Sequence, residues 1–334
     1  MSVWPTRVPF LAAVVGLTLA VAGCNSAGPG PAAGLTGGGS TMQAAGGGNV
    51  TYAEFKTSAF PYRGMIPADA DTNERAKPFL DVNAEGRLAH TSPRGGVLWE
   101  DTTYNDRHVL LAAGPDFDPN LSGVIVVYFH GNQSILSRDV VDRQQTVRQL
   151  AQSNLNAVMV APQLAVDAND SSAGNFWRPG AFAQFLDEAD EKLAELYGTS
   201  RGSFRRMPVI VVAYSGGYMP AAYSLVEGGA GDRVRGVILL DALYGEADKF
   251  ARWIETARGD AFFVSAYSTS TRDRNAALRA QLQRAGVDVE NGLPDELRPG
   301  VVAFVDSGDV DHNGFVNAAW TSDPLSAVLS RVER

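Results

Sequence analysis

Val209-Ile210-Val211-Val212-Ala213-Tyr214-Ser215-Gly216-Gly217-Tyr218-Met219 is the stretch that decides the fold. Its first five residues are apolar and mostly β-branched, a run suited to a strand buried on both faces. A serine and two glycines follow at once, and 217–227 reads as a helix. Strand, sharp turn and helix in that order put the Ser215 hydroxyl at the apex of the turn. Such a turn is tight, so the positions two before and two after the serine must be small. Ala213 and Gly217 meet that demand.

Working outward, similar apolar runs occupy 124–129, 157–160, 237–240, 261–264 and 301–305. Helical spacing separates most of them. The clearest case is Phe182, Phe185, Leu186, Ala189, Leu193 and Leu196, at intervals of threes and fours with acids between. Other helices are expected at roughly 138–152, 247–257 and 273–285, the last stopping near Gly286. Asp323-Pro324 reads as the cap and start of a final helix to about 332. This alternation predicts an α/β fold, with a mostly parallel central sheet and helices on both faces. Residues 52–120 are the least legible; 97–99 and 108–111 read as two strands of an opening hairpin.

Ligands of such sheets bind beyond the carboxyl ends of the strands. The residues found there carry chemistry. Asp241 follows the run 237–240, and a carboxylate at the end of a buried strand is costly unless partnered. Orienting a catalytic histidine is one such partnership. Asp273, one strand later, is the competitor, although it reads as part of a helix start. After the last run comes Asp306-Ser307-Gly308-Asp309-Val310-Asp311-His312. Of the histidines His90, His108, His130 and His312, only His312 follows both the serine and the acid. Asp309 and Asp311 raise the alternative of a calcium loop, but the spacing and the absent distal glutamate do not fit one.

The order Ser215, Asp241, His312 resembles that of the α/β-hydrolase superfamily, over roughly 120–334. Ala213 departs mildly from the family's motif, which has glycine two residues before the serine. His130-Gly131-Asn132 resembles the His-Gly segment of esterases and lipases. The resemblance implies an α/β-hydrolase fold and a serine hydrolase of esterase or lipase type. Ser215 is then the nucleophile, His312 the base and Asp241 its orienting acid, with the Asn132 and Gly216 amides as the oxyanion hole. It implies no metal and no organic cofactor. Cleavage of a carboxylic ester through an acyl-enzyme is expected, on a small-molecule or envelope-derived acyl substrate. The triad itself does not separate an esterase from an envelope amidase or peptidase. A catalytically inactive hydrolase fold serving as a binding lipoprotein is the alternative outside enzymes. Residues 162–180, with Phe176, Trp177 and Arg178, either line the pocket or pack their loop onto the domain.

The N-terminus reads as an address. Residues 1–23 have a positive Arg7 and an uncharged apolar run, as a signal peptide does. Leu19-Ala20-Val21-Ala22-Gly23-Cys24 resembles the bacterial lipoprotein box, which implies lipidation of Cys24 and an exported protein held at a membrane. Cys24 is the only cysteine, so no internal disulfide forms. Residues 24–50 are rich in Gly, Ala and Pro and read as a flexible tether, with the hydrolase domain at 51–334. The net charge of −9 repels phosphate backbones and argues against nucleic acid as a partner. There is no G-x-x-x-x-G-K-[ST] segment for a nucleotide phosphate.

Overall fold

The computed structural model describes residues 42–43, 49–68, 74–257 and 259–333. The expected signal peptide, Cys24 and most of 24–50 lie outside the described residues. Met42–Gln43 nonetheless pair with Asn49–Glu54, so sheet structure begins inside the stretch read as a tether.

Eight strands form the body of the sheet: β1 (Asn49–Glu54), β2 (His108–Ala113), β3 (Val124–Phe129), β4 (Ala157–Pro162), β5 (Val209–Tyr214), β6 (Val234–Leu240), β7 (Phe262–Tyr267) and β8 (Val302–Asp306). Met42–Gln43 and Glu290–Asn291 extend its two edges to a ten-stranded sheet. The spatial order is β1-β2-β4-β3-β5-β6-β7-β8. β2 runs antiparallel to β1 and β4, and β4 through β8 pair in parallel. This is the α/β-hydrolase architecture.

The continuous apolar runs are explained by two cores, one on each face. In β5, Val209, Val211 and Ala213 face one core. Ile210, Val212 and Tyr214 face the other. The first core is covered by α2 (Ala181–Tyr197), α3 (Tyr218–Val226), α4 (Ala247–Thr256) and α5 (Arg272–Arg284). Phe182, Phe185, Leu186, Ala189 and Leu193 all bury there, as the spacing predicted, whereas Leu196, in the last turn of the helix, is exposed. The second core is closed by α1 (Thr146–Gln152) and α6 (Pro324–Leu329).

Three local expectations change. The opening hairpin does not form. Val97–Trp99 joins a separate three-stranded sheet, and β2 pairs with β1 and β4 instead. The helix expected at 138–152 is two pieces, a π-helix Leu136–Arg143 and then α1, broken where Gln145 adopts φ 51°. The Asp139 carboxylate accepts the Ile135 N–H (2.8 Å) and binds Arg138 and Arg143 (both 2.8 Å), which pins the first piece. Asp323 does not cap α6; its carboxylate meets Arg148 at 2.5 Å.

Candidate active site

The sharp turn at the end of β5 forms as its sequence demands. Ser215 sits at φ 50°, a conformation rare for a residue with a side chain. One 3-10 turn, Ser215–Gly217, leads directly into α3. A Cβ on Gly217 would run into the Phe129 carbonyl at the end of β3. The neighbouring strand end therefore requires glycine there.

His312 lies in the loop after β8, in a short turn His312–Gly314. Its Nε2 is 2.7 Å from Ser215 Oγ, and its Nδ1 is 2.7 Å from Asp241 Oδ2. Three strand ends thus deliver a continuous Ser-His-Asp chain of hydrogen bonds. A carboxylate only accepts, so Nδ1 carries the proton and Nε2 presents its lone pair to the serine.

Asp241 is fully buried. It accepts from Ser268 N–H (3.0 Å), Ser268 Oγ (2.8 Å), Ser270 Oγ (2.7 Å) and Thr271 Oγ1 (2.6 Å), besides His312. Burial alone pushes the carboxyl upward. Hydrogen bonds from His312, Thr271, Ser268 and Ser270 outweigh it and hold the group well below the usual carboxylate range. Asp273 stands exposed in the first turn of α5. The structure brings Asp241, and not Asp273, to the histidine.

His312 is framed by two tyrosines. The Tyr214 ring stacks on it (centroids 5.3 Å, 20°) and its hydroxyl donates to the His312 carbonyl (2.8 Å). The Tyr244 ring approaches edge-on at 5.6 Å and 85°.

The segment after β3 passes over the nucleophile. A Cβ on Gly131 would stand 2.8 Å from Ser215 Cβ, so only glycine lets this loop come so close. The Asn132 side chain crowds Gly216, bringing the two expected oxyanion residues together. The Asn132 side-chain amide is satisfied with its nitrogen 2.7 Å from the Asp170 carbonyl and its oxygen 3.3 Å from Arg94 Nε. Ser171 Oγ lies 3.1 Å from the same amide. The loop is anchored by Gln133 N–H to the Ala168 carbonyl (2.8 Å) and by Arg138, which meets the Gln133 carbonyl (2.9 Å) and Asp167 (2.7 Å).

His130 supports this loop from beneath. Its Nδ1 lies 2.7 Å from the Gly131 carbonyl, and its Nε2 accepts the Leu164 N–H at 2.9 Å. Burial lowers its pKa from 6.5 to about 4, so the ring is neutral near pH 7. It sits behind the site as a positioning residue.

Phe176 packs against Phe129, Phe182 and Phe185 in the core. Trp177 borders a cavity beside Tyr218. Arg178 is exposed. Sequence reasoning missed the hydroxyl collar around Asp241, whose signal is the run Ser268-Thr269-Ser270-Thr271 at the end of β7. Asp309 accepts from Thr269 Oγ1 (2.5 Å) and Asp311 from Gly314 N–H (3.2 Å). Among the described residues, no group of three or more His, Cys, Asp or Glu is placed to hold a metal ion.

No family model and no curated protein matches the sequence. Among solved structures the chain is similar to the feruloyl esterase module from Clostridium thermocellum (14% identity, 82% of this chain and 94% of that one, TM-score 0.47). It is also similar to an esterase from Rhizomucor miehei (12% identity, 73% and 81%, TM-score 0.44). A third is S-formylglutathione hydrolase from Agrobacterium tumefaciens (11% identity, 75% and 94%, TM-score 0.40).

Proposed function

We propose that the protein is a serine hydrolase that cleaves a carboxylic ester through an acyl-enzyme. The observation that carries this reading is the pair of 2.7 Å contacts, Ser215 Oγ to His312 Nε2 and His312 Nδ1 to Asp241 Oδ2. Ser215 Oγ attacks the carbonyl carbon as its proton passes to Nε2. The charge on the carbonyl oxygen is held by the backbone N–H groups of Asn132 and Gly216. One such donor typically contributes about 10²–10³ in kcat. The Asp241 carboxylate stabilises the imidazolium at that moment. Collapse expels the alcohol, which takes the proton from Nε2. Water then attacks the acyl-enzyme, gives its proton to Nε2, and the acid leaves with Ser215 restored.

Treating the full chain with a fluorophosphonate tests this directly. Mass spectrometry is expected to place the adduct on Ser215, with labelling lost in Ser215→Ala and His312→Ala. A folded protein that stays unlabelled overturns the reading and returns the binding-lipoprotein alternative. Comparing p-nitrophenyl esters with peptide amides separates an esterase from an amidase. We also propose that Cys24 carries lipid and holds the enzyme at a bacterial membrane, facing the periplasm or the exterior. Support comes from the box ending at Cys24. Metabolic labelling with an alkyne fatty acid is expected to mark the full chain and not Cys24→Ala.

A further inference from the structure

The chain between β1 and β2 makes the separate three-stranded sheet, and the last hairpin of that sheet reaches the oxyanion loop. Its turn is Ser92-Pro93-Arg94-Gly95-Gly96. Gly95 and Gly96 take φ 101° and 90°, which the tight reversal needs. Ser92 Oγ accepts the Arg94 N–H (3.2 Å) and donates to the Asn169 carbonyl (3.0 Å). The turn is thus fastened to the segment 162–180 and holds Arg94 in place. Arg94 Nε lies 3.3 Å from the side-chain oxygen of Asn132, whose side chain in turn crowds Gly216. One side chain therefore separates the guanidinium from the two residues of the oxyanion hole.

A second arginine, Arg274, stands in the first turn of α5, just after the hydroxyl run that surrounds Asp241. Both arginines act on the same two tyrosines. Burial raises the Tyr218 and Tyr244 phenols, and Arg94 and Arg274 work against that rise. The two rings are neighbours (centroids 6.4 Å), and the Tyr244 hydroxyl lies 3.2 Å from His312 Nδ1.

Neither charge is used inside the protein. Nearby arginines are: Arg63 pairs with Glu100 (2.7 Å), Arg87 with Asp101 (2.7 Å) and Arg272 with Asp306 (3.3 Å). Among the described residues no carboxylate stands within ion-pair distance of Arg94 or Arg274. Of the acids near them, Asp241 is taken by His312 (2.7 Å) and Glu246 by Lys249 (2.5 Å). The helix dipole disfavours a cation in the first turn of α5, so nothing within the fold calls for Arg274 there. Two such cations around one site run against the net charge of −9.

We infer that Arg94 and Arg274 bind a carboxylate, and that the ester this protein cleaves bears a second, ionised carboxyl group. The inference rests on the reading of Ser215 as the nucleophile. The planar guanidinium fork matches the two oxygens of a carboxylate. Both arginines are exposed, so salt screens the attraction.

The test compares each anionic ester with its methyl ester, which removes the charge. Mono-p-nitrophenyl adipate and methyl p-nitrophenyl adipate place the carboxyl on the acyl part. 4-Butyryloxybutanoate and its methyl ester place it on the alcohol. In at least one pair the anion is expected to have a kcat/KM roughly tenfold higher or more at low salt. The ratio is expected to fall as salt is raised. Arg94→Gln with Arg274→Gln is expected to bring it to one or below. Arg94→Lys keeps the charge without the fork and is expected to retain part of it. Binding is read separately by calorimetry in Ser215→Ala. There one of the two anions, and not its methyl ester, is expected to bind, and to be lost when both arginines are replaced. Hydrolysis or Ser215 labelling with neither anion preferred or bound overturns the subsite, as does a preference that survives both substitutions. Binding that needs the two arginines, without hydrolysis or labelling, overturns the hydrolase reading and leaves a carboxylate-binding site. Absence of hydrolysis, labelling and binding overturns both.

Discussion

The hydroxyl of Tyr244 lies 3.2 Å from Nδ1 of His312. The same nitrogen meets Asp241 Oδ2 at 2.7 Å, so its proton has two acceptors. Tyr244 can accept because its own proton goes to Ser270 Oγ at 2.9 Å, and Ser270 donates on to Asp241 Oδ2 at 2.7 Å. Burial raises the Tyr244 phenol above its ordinary value, which keeps that proton in place. The phenol thus adds to the stabilisation of the imidazolium. A hydrogen bond contributes about 0.5–1.5 kcal/mol net. Tyr244→Phe is expected to lower kcat/KM roughly two- to tenfold on that basis. A kcat/KM equal to that of the wild type would show that Tyr244 only packs.

Asp241→Asn tests the acid. The amide cannot keep His312 in the tautomer that faces the serine, and kcat is expected to fall by about 10⁴. The substitution also has a signature in stability. Asp241 has a folded pKa held below its unfolded value of 3.8. Its contribution is complete above that value and drains away as the pH falls below it. Thermal unfolding of the wild type below about pH 4 is therefore expected to be more acid-sensitive than that of Asp241→Asn. Equal acid sensitivity would count against the hydroxyl collar as the stabiliser of the charged form.

The order of the strand ends was legible because buried parallel strands announce themselves as β-branched runs. The residue after each run is then placed by topology. That is why Ser215 and His312 are readable at a spread of almost one hundred residues. Asp241 is favoured over Asp273 because Asp273 reads as part of a helix start, but periodicity cannot say which strand end faces the histidine. The answer lies in the turn at Asp241, with φ 43°, which aims the carboxylate back into the site. The break near Gln145 was hidden because 138–152 carries a helical pattern throughout, and the pinning of Asp139 is tertiary.

His130 offers a second pH window. Burial lowers its folded pKa to about 4 from 6.5, so the unfolded chain takes up a proton first as the pH falls. Its contribution is complete above about pH 6.5 and is lost towards pH 4. The span corresponds to a loss on the order of 3 kcal/mol. His130→Leu is expected to be less stable near neutral pH, because the Leu164 N–H loses its acceptor. It is also expected to lose most of the wild-type slope across that window. Urea denaturation at several pH values across the window checks both. A variant with the wild-type slope would mean that another group titrates there.

Gly131→Ala separates position from stability. The added Cβ would stand 2.8 Å from Ser215 Cβ and 3.1 Å from the Tyr214 ring, both side-chain atoms. On Gly217 the obstacle is instead the Phe129 backbone carbonyl, which cannot step aside. Gly217→Ala is therefore expected to fail to fold. Gly131→Ala is expected to fold, with the loop or the serine displaced by a few tenths of an ångström or more. Misplacement by about 1 Å can cost on the order of 10² in rate. The expected outcome is a loss of fluorophosphonate reactivity far out of proportion to a modest fall in Tm. If Gly131→Ala reacts at the wild-type rate, the loop does not press on the nucleophile, and the Asn132 amide loses its claim to the oxyanion.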